Sequence, residues 1–241
     1  MADAPRRRRL RAGWGVLAAW ATLALVAAAF WNQWLTVPDR WNPWAPLWPE
    51  EAPTFLTGWK LARLAQDPAA CRATLQATRL EHVAVSDRPV REGCGWSNGV
   101  RLTGLPARVE PPVVLACPAA VALALWDRHG VQPLAREHLG QPVVAVANFG
   151  SFACRNVGGE AGQRRSEHAS ANALDVAGFT LADGRTVSVA RHWAGEDARG
   201  RFLRQVHGSA CRFWTVALGP DYNAAHADHF HLDRGPFRAC R

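Results

Sequence analysis

The chain reads as an α+β protein: a small antiparallel sheet flanked by helices, preceded by one N-terminal transmembrane helix. Three observations predict this. An uncharged apolar run follows a basic tail, helix signals dominate the next stretch, and short β-rich segments cluster around the histidines near the C-terminus. Helices first and strands later is the α+β order, not the alternation of a parallel sheet.

The 241 residues suffice for one sizeable domain and an attachment segment. Arg6, Arg7, Arg8, Arg9 and Arg11 against Asp3 carry half of the net charge of +8. The remainder is only mildly basic, without a stripe of basic and aromatic residues, which argues against a nucleic-acid partner. The cysteines Cys71, Cys94, Cys117, Cys154, Cys211 and Cys240 are even in number, follow the apolar run and show no C-x-x-C spacing. That pattern predicts disulfides formed in an oxidising compartment and leaves their pairing open.

Residues 1–12 form a basic tail and residues 13–35 an apolar segment, long enough to cross a bilayer. The positive-inside rule puts the tail in the cytoplasm and the remainder outside. This predicts a single-pass protein of the cytoplasmic (inner) membrane with a periplasmic C-terminal domain. Trp14 at one end, and Trp31, Trp34, Trp41, Trp44 and Trp48 at the other, resemble an interfacial belt. A cleaved signal peptide ending at Ala27-Ala28-Ala29 is the alternative. The anchor is preferred because the apolar run continues past Ala29.

Residues 36–53, with five prolines, read as a stiff extended linker or membrane-surface segment. The domain proper is 54–241. Thr54 is placed to cap a helix from Phe55 to about Gln66, and Asp67-Pro68 to start a second. His82–Val85 and Val100–Leu102 read as strands. Pro118 opens a helix through Trp126 that Gly130 ends. Val143–Phe149 is a strand. Asp175–Phe179 and Thr186–Val189 pair across the turn Ala182-Asp183-Gly184. Glu196–His207 is helical, and His229–Leu232 is the last strand.

Two clusters carry the chemistry. His226-Ala-Asp228-His229-Phe-His231 concentrates three of nine histidines, and Ser166-Glu-His168 stands seven residues before Asp175. The latter spacing fits a turn followed by a strand. In His229-Phe230-His231 the strand alternation puts both imidazoles on one face and Phe230 in the core. Imidazoles and carboxylates in two compact groups are the donor set of a zinc site that keeps one position open. Asp233 stands nearby as an acceptor or further ligand. His82, His129, His138, His192 and His207 are isolated and read as structural.

These residues also carry a resemblance. Ser166-x-His168-x6-Asp175 followed by His-x-His resembles zinc peptidases of bacterial cell-wall peptides: D-Ala-D-Ala carboxypeptidases and dipeptidases, lysostaphin-type endopeptidases and the penicillin-insensitive murein endopeptidase. Cys117-Pro118, Gly150-Ser-Phe-Ala-Cys154-Arg155, Asn172-Ala-Leu-Asp175, Leu218-Gly-Pro-Asp-Tyr-Asn223 and His226 to Asp233 are similar to the bacterial extensin-like C-terminal family, over roughly 55–241. The resemblance implies that His168, Asp175 and His231 hold Zn2+. It places His229 as base or transition-state stabiliser beside His226, with Asp228 as the rival base. Arg155 would take a substrate carboxylate, and Ser166, grouped with it as substrate-binding, would be a hydrogen-bond donor behind the ligands. The pattern departs at Ala171-Asn172, where many of these peptidases carry Gly. The implied activity is zinc-dependent hydrolysis of peptidoglycan peptide. The alternative is a non-catalytic, zinc-containing module that binds cell wall or protein.

Overall fold

The computed structural model describes residues 4–78, 80–104 and 107–241. Met1 to Asp3, and the side chains of the arginine cluster, lie outside the described part of the tail. Helix α1 (Ala4–Trp31) contains the apolar window Trp14–Trp31. It ends four residues earlier than expected, where Gln33 turns left-handed and Asn32 Nδ2 donates to the Ala28 carbonyl. Nothing in the described chain buries that window. The helix is compatible with a single-pass anchor or a signal sequence.

The proline-rich stretch is folded, not extended. Proline lacks an N–H but keeps its carbonyl, and two cations and one imidazole of the domain supply the donors. Lys60 Nζ donates to the Asp39 and Pro46 carbonyls (2.7 and 3.1 Å), Arg63 to that of Pro43 (2.9 Å) and His129 Nε2 to that of Pro49 (2.8 Å). Leu47 inserts into the core. Helix α2 (Thr57–Leu64) supplies both cations. Helix α3 (Pro68–Ala77) starts as expected, with Asp67 accepting from Ala70 N–H.

The strands are β1 (Glu81–Ala84), β2 (Arg88–Arg91), β3 (Cys94–Trp96), β4 (Gly99–Gly104) and β5 (Arg108–Ala116). Helix α4 (Cys117–Trp126) follows. All of its residues except Pro118 are buried. Gly130 does not end it: the chain continues through a wide turn into α5 (Gln132–Leu139), which stops at left-handed Gly140. Gly130 instead permits a close approach. A Cβ there would lie 2.5 Å from Ser209 Oγ, and Trp126 Nε1 donates to that same hydroxyl. The remaining elements are β6 (Val143–Gly150), β7 (Ala173–Leu181), β8 (Thr186–Ser188), α6 (Val189–His192), α7 (Ala198–Ala210), β9 (Val216–Leu218), β10 (Phe230–Asp233) and β11 (Ala239–Cys240).

The class is α+β, but the sheet is neither small nor purely antiparallel. Nine strands share it in the order β1-β4-β5-β6-β7-β10-β9-β11, with β8 added to β7; β2 and β3 form a separate hairpin. The β5/β6 and β9/β11 pairs are parallel. Five strands are absent from the sequence expectation: the short β2, β3, β9 and β11, the last of which follows the strand expected to be final, and the long β5, masked by Pro111-Pro112. Those prolines fall where the β4/β5 register shifts and pairing with β6 stops, so the ladder loses no donor it needs. With β5 in place, the flanking strands join into one sheet.

Asp127 lies where α4 enters the wide turn. Burial pushes its carboxyl up to about 7, against a hydrogen bond from Gln132 and the charge of Arg136. One of its oxygens has no partner among the described residues. The folded chain therefore holds this proton more tightly than the unfolded one, so the contribution to stability is full below pH ~4 and is lost as pH rises through about 7. Asp127→Asn, which keeps the acceptor for Gln132, should gain stability over the parent between pH 4.5 and 7.5, by up to about 4 kcal/mol in denaturant melts.

All six cysteines pair: Cys71–Cys117, Cys94–Cys154 and Cys211–Cys240. The second fastens the β2/β3 hairpin to the segment after β6, where Trp96 meets Phe152 edge to face at 4.9 Å. Its sequence separation is 60, so a Cys94→Ser/Cys154→Ser chain should be less stable by about 2–4 kcal/mol, measured by equilibrium unfolding.

Candidate metal centre

Strands β7 and β10 build the floor of the site. Leu174, Val176, Phe230 and Leu232 face the core, where Phe230 packs on Trp193 and His207. Alternation sends Asp175, His231 and Asp233 to the other face, and the register sets His231 directly across from Asp175. His168 arrives from a short 3-10 turn, Glu167–Ser170. Ser166 caps that turn, its buried hydroxyl accepting from His168 N–H. The turn closes on Ala171 at φ 53°. Alanine there takes up the left-handed conformation that glycine adopts freely. Asn172 Nδ2 donates to Glu167 Oε2 (2.9 Å), which braces the turn.

His168 Nε2, His231 Nδ1 and an Asp175 carboxylate oxygen form a compact triangle. The separations are 3.2 Å between the two nitrogens, 3.2 Å from His168 to Asp175 and 3.0 Å from His231 to Asp175. The outer nitrogens are committed. His168 Nδ1 faces the Ser151 carbonyl at 3.2 Å and His231 Nε2 faces Asp233 Oδ2 at 3.0 Å. Both partners only accept, so each neutral ring carries its hydrogen on the outer nitrogen and turns a bare lone pair inward. Two lone pairs and a carboxylate converging on one point require a positive charge between them: a proton or a cation. Donors about 2.0–2.1 Å from a tetrahedral zinc lie about 3.3–3.4 Å apart, close to the separations here. The donor set therefore fits zinc, with outer partners of the kind that orient metal-bound histidines.

The electrostatics agree with this geometry. Burial opposes charge on His231, but hydrogen bonds to Asp175 and Asp233 outweigh it and push the imidazole up to about 9. Burial would raise Asp175, yet its contacts with His168 and His231 hold the carboxyl well below its usual range. His226 is pushed down to about 4, first by burial, then by the charges of His231 and His229, with a smaller push from Arg155.

His229, one residue before β10, reaches the same opening. Its Nδ1 donates to Asp228 Oδ1 at 2.8 Å, and its Nε2 points inward, 3.6 Å from Asp175. Asp228 is mostly exposed, so His229 is the better placed of the two. His226 Nδ1 donates to Asn223 Oδ1 (2.7 Å), and its ring lies 5.3 Å from that of His229. Arg155 is exposed and makes no ion pair among the described residues. Ser166 supports His168 from behind instead of facing the opening.

Three groups escaped the sequence reading. The Ser151 carbonyl is backbone and leaves no side-chain signal; Gly150, at φ 115°, turns the chain ahead of it. Phe149, largely exposed, sets its ring edge to face with His229 at 5.8 Å. A cleft of about 350 Å3 beside Asp228 is lined by Phe149, Gly178, Ser188 and Arg191.

Neither a search of curated proteins nor one of solved structures returns a match. A family model does, over residues 69–241, which hold β1–β11 and every residue of the centre. The chain therefore belongs to the family described as extensin-like protein C-terminus.

Proposed function

We propose that this chain is a zinc-dependent hydrolase of peptidoglycan peptides, held by α1 in the cytoplasmic membrane with its domain in the periplasm. The observation that carries the reading is the convergence of His168 Nε2, His231 Nδ1 and Asp175, with the outer nitrogen of each ring already committed. His168, Asp175 and His231 would hold the zinc. Zinc supplies Lewis-acid chemistry, polarising a carbonyl and making water acidic near neutral pH. His229 Nε2 takes the proton of the attacking water and returns it to the leaving amine. Asp228 fixes the tautomer and direction of that ring. Arg155, whose charge reaches His226 and which has no carboxylate partner among the described residues, pairs with a substrate carboxylate. The disulfides and the apolar helix support an exported domain, where a cell-wall substrate lies.

The test uses the full chain purified in detergent, elemental analysis for metal, and intact sacculi as substrate. The reading expects close to one zinc per chain and new amino groups that disappear in His231→Ala. Zinc without cleavage turns the reading to a wall-binding module. A folded, oxidised chain that takes up no zinc overturns the centre itself.

A further inference from the structure

The folded proline-rich strap presents an aromatic cluster to the outside. Trp44 and Trp59 meet edge to face at 5.7 Å, and Trp41 and Phe55 lie tilted against each other at 5.9 Å. The Arg63 guanidinium lies over both Trp44 (5.6 Å) and Trp59 (5.0 Å), and Arg40 over Trp41 (5.6 Å). Trp44 is 74% exposed and Phe55 82%. Behind them opens a cleft of about 340 Å3, lined by Trp44, Leu47, Trp48, Arg63 and Leu64. The strap's own polar groups are used internally: Asp39 accepts from Trp48 Nε1, and its carbonyl from Lys60. The outward face of the cluster is aromatic carbon and arginine, while the strap's half-exposed Glu50 pairs with Arg128 at 3.7 Å.

We infer that this cluster is a lipid-docking platform that seats the domain on an anionic phospholipid surface. Amphipathic indole rings favour the headgroup level, and arginines beside them are drawn to anionic lipid. Continuity with α1 supplies the second argument. That helix ends at Trp31 and the strap begins its fold at Asp39. The residues between can span at most about 25 Å when fully extended. A bilayer crossed by α1 is thus within reach of the platform, and Trp31 and Trp34, both exposed, lie on the path. The inference rests on α1 as a membrane anchor and is independent of the hydrolase reading.

Because no cysteine is free, Phe55→Cys accepts a single bimane label at an exposed position. The full chain is placed in nanodiscs of phosphatidylcholine and phosphatidylglycerol, with brominated acyl chains as quencher. Glu160→Cys, on the loop after β6, is the control. The label at 55 should be quenched about twofold or more and that at 160 scarcely at all. The quenching at 55 should fall in Trp44→Gln and when phosphatidylglycerol is omitted. Equal, weak quenching at both positions overturns the platform, as does a chain that separates from the discs. A label at 55 that lipid leaves unquenched, but that another protein shields, would assign the surface to a protein partner instead.

Discussion

His231→Ala or Asp175→Ala should leave a folded, oxidised chain that no longer holds zinc. Sharing about 10–16 kcal/mol of zinc affinity over three or four ligands gives each about 2.5–5 kcal/mol, on the order of a hundredfold or more in Kd. Neither side chain supports the core: His231 and Asp175 project from the face opposite Phe230 and Leu174. Circular dichroism should therefore remain that of the parent while metal content by elemental analysis falls to background. Asp233→Asn separates ligation from orientation. The carboxylate receives the His231 Nε2 hydrogen at 3.0 Å and also accepts from Gly235 N–H. An amide can turn its NH2 toward the ring and favour the wrong tautomer. The expected loss is about 10–100-fold in metal affinity. Full zinc occupancy with parental affinity in His231→Ala would move the centre elsewhere.

His229→Ala should keep its zinc and lose cleavage of cell-wall peptide by about 10²–10⁴-fold in kcat, with little change in KM. Its ring reaches the opening without belonging to the compact triangle: the closest approach to Asp175 is 3.6 Å. Asp228→Asn should cost less, because an amide oxygen can still accept from His229 Nδ1. Equal losses in the two variants, measured as amines released from purified peptidoglycan fragments, would transfer the proton-handling role to Asp228. A zinc-depleted His229→Ala chain would make His229 a ligand.

The centre was legible where chemistry and periodicity coincide. Strand alternation put Phe230 in the core and His231 on the open face, while His229, expected on the same strand, lies one residue before β10 and reaches the opening from there. The spacing from His168 to Asp175 suggested a turn into a strand, and that is how the chain runs. Hidden from the sequence was whatever depends on backbone or on distant partners. The Ser151 carbonyl fixes the His168 tautomer and has no side-chain signature. Pro111-Pro112 disguised β5, because proline argues against a strand unless a register shift absorbs it. Gly130 looked like a helix stop when its role is to let α7 come close. The strap looked like a spacer because its stabilising donors, Lys60, Arg63 and His129, lie outside it.

The pairing of the cysteines has one further consequence. Cys94 falls between Cys71 and Cys117, while Cys117 falls between Cys94 and Cys154. The two covalent loops are interlaced, not nested or consecutive. A protease cut anywhere from Cys71 to Cys154 therefore releases no fragment, and a cut between Cys94 and Cys117 must be followed by breakage of both bridges before the pieces part. Nicking in this region would pass unnoticed on a non-reducing gel and show only after reduction.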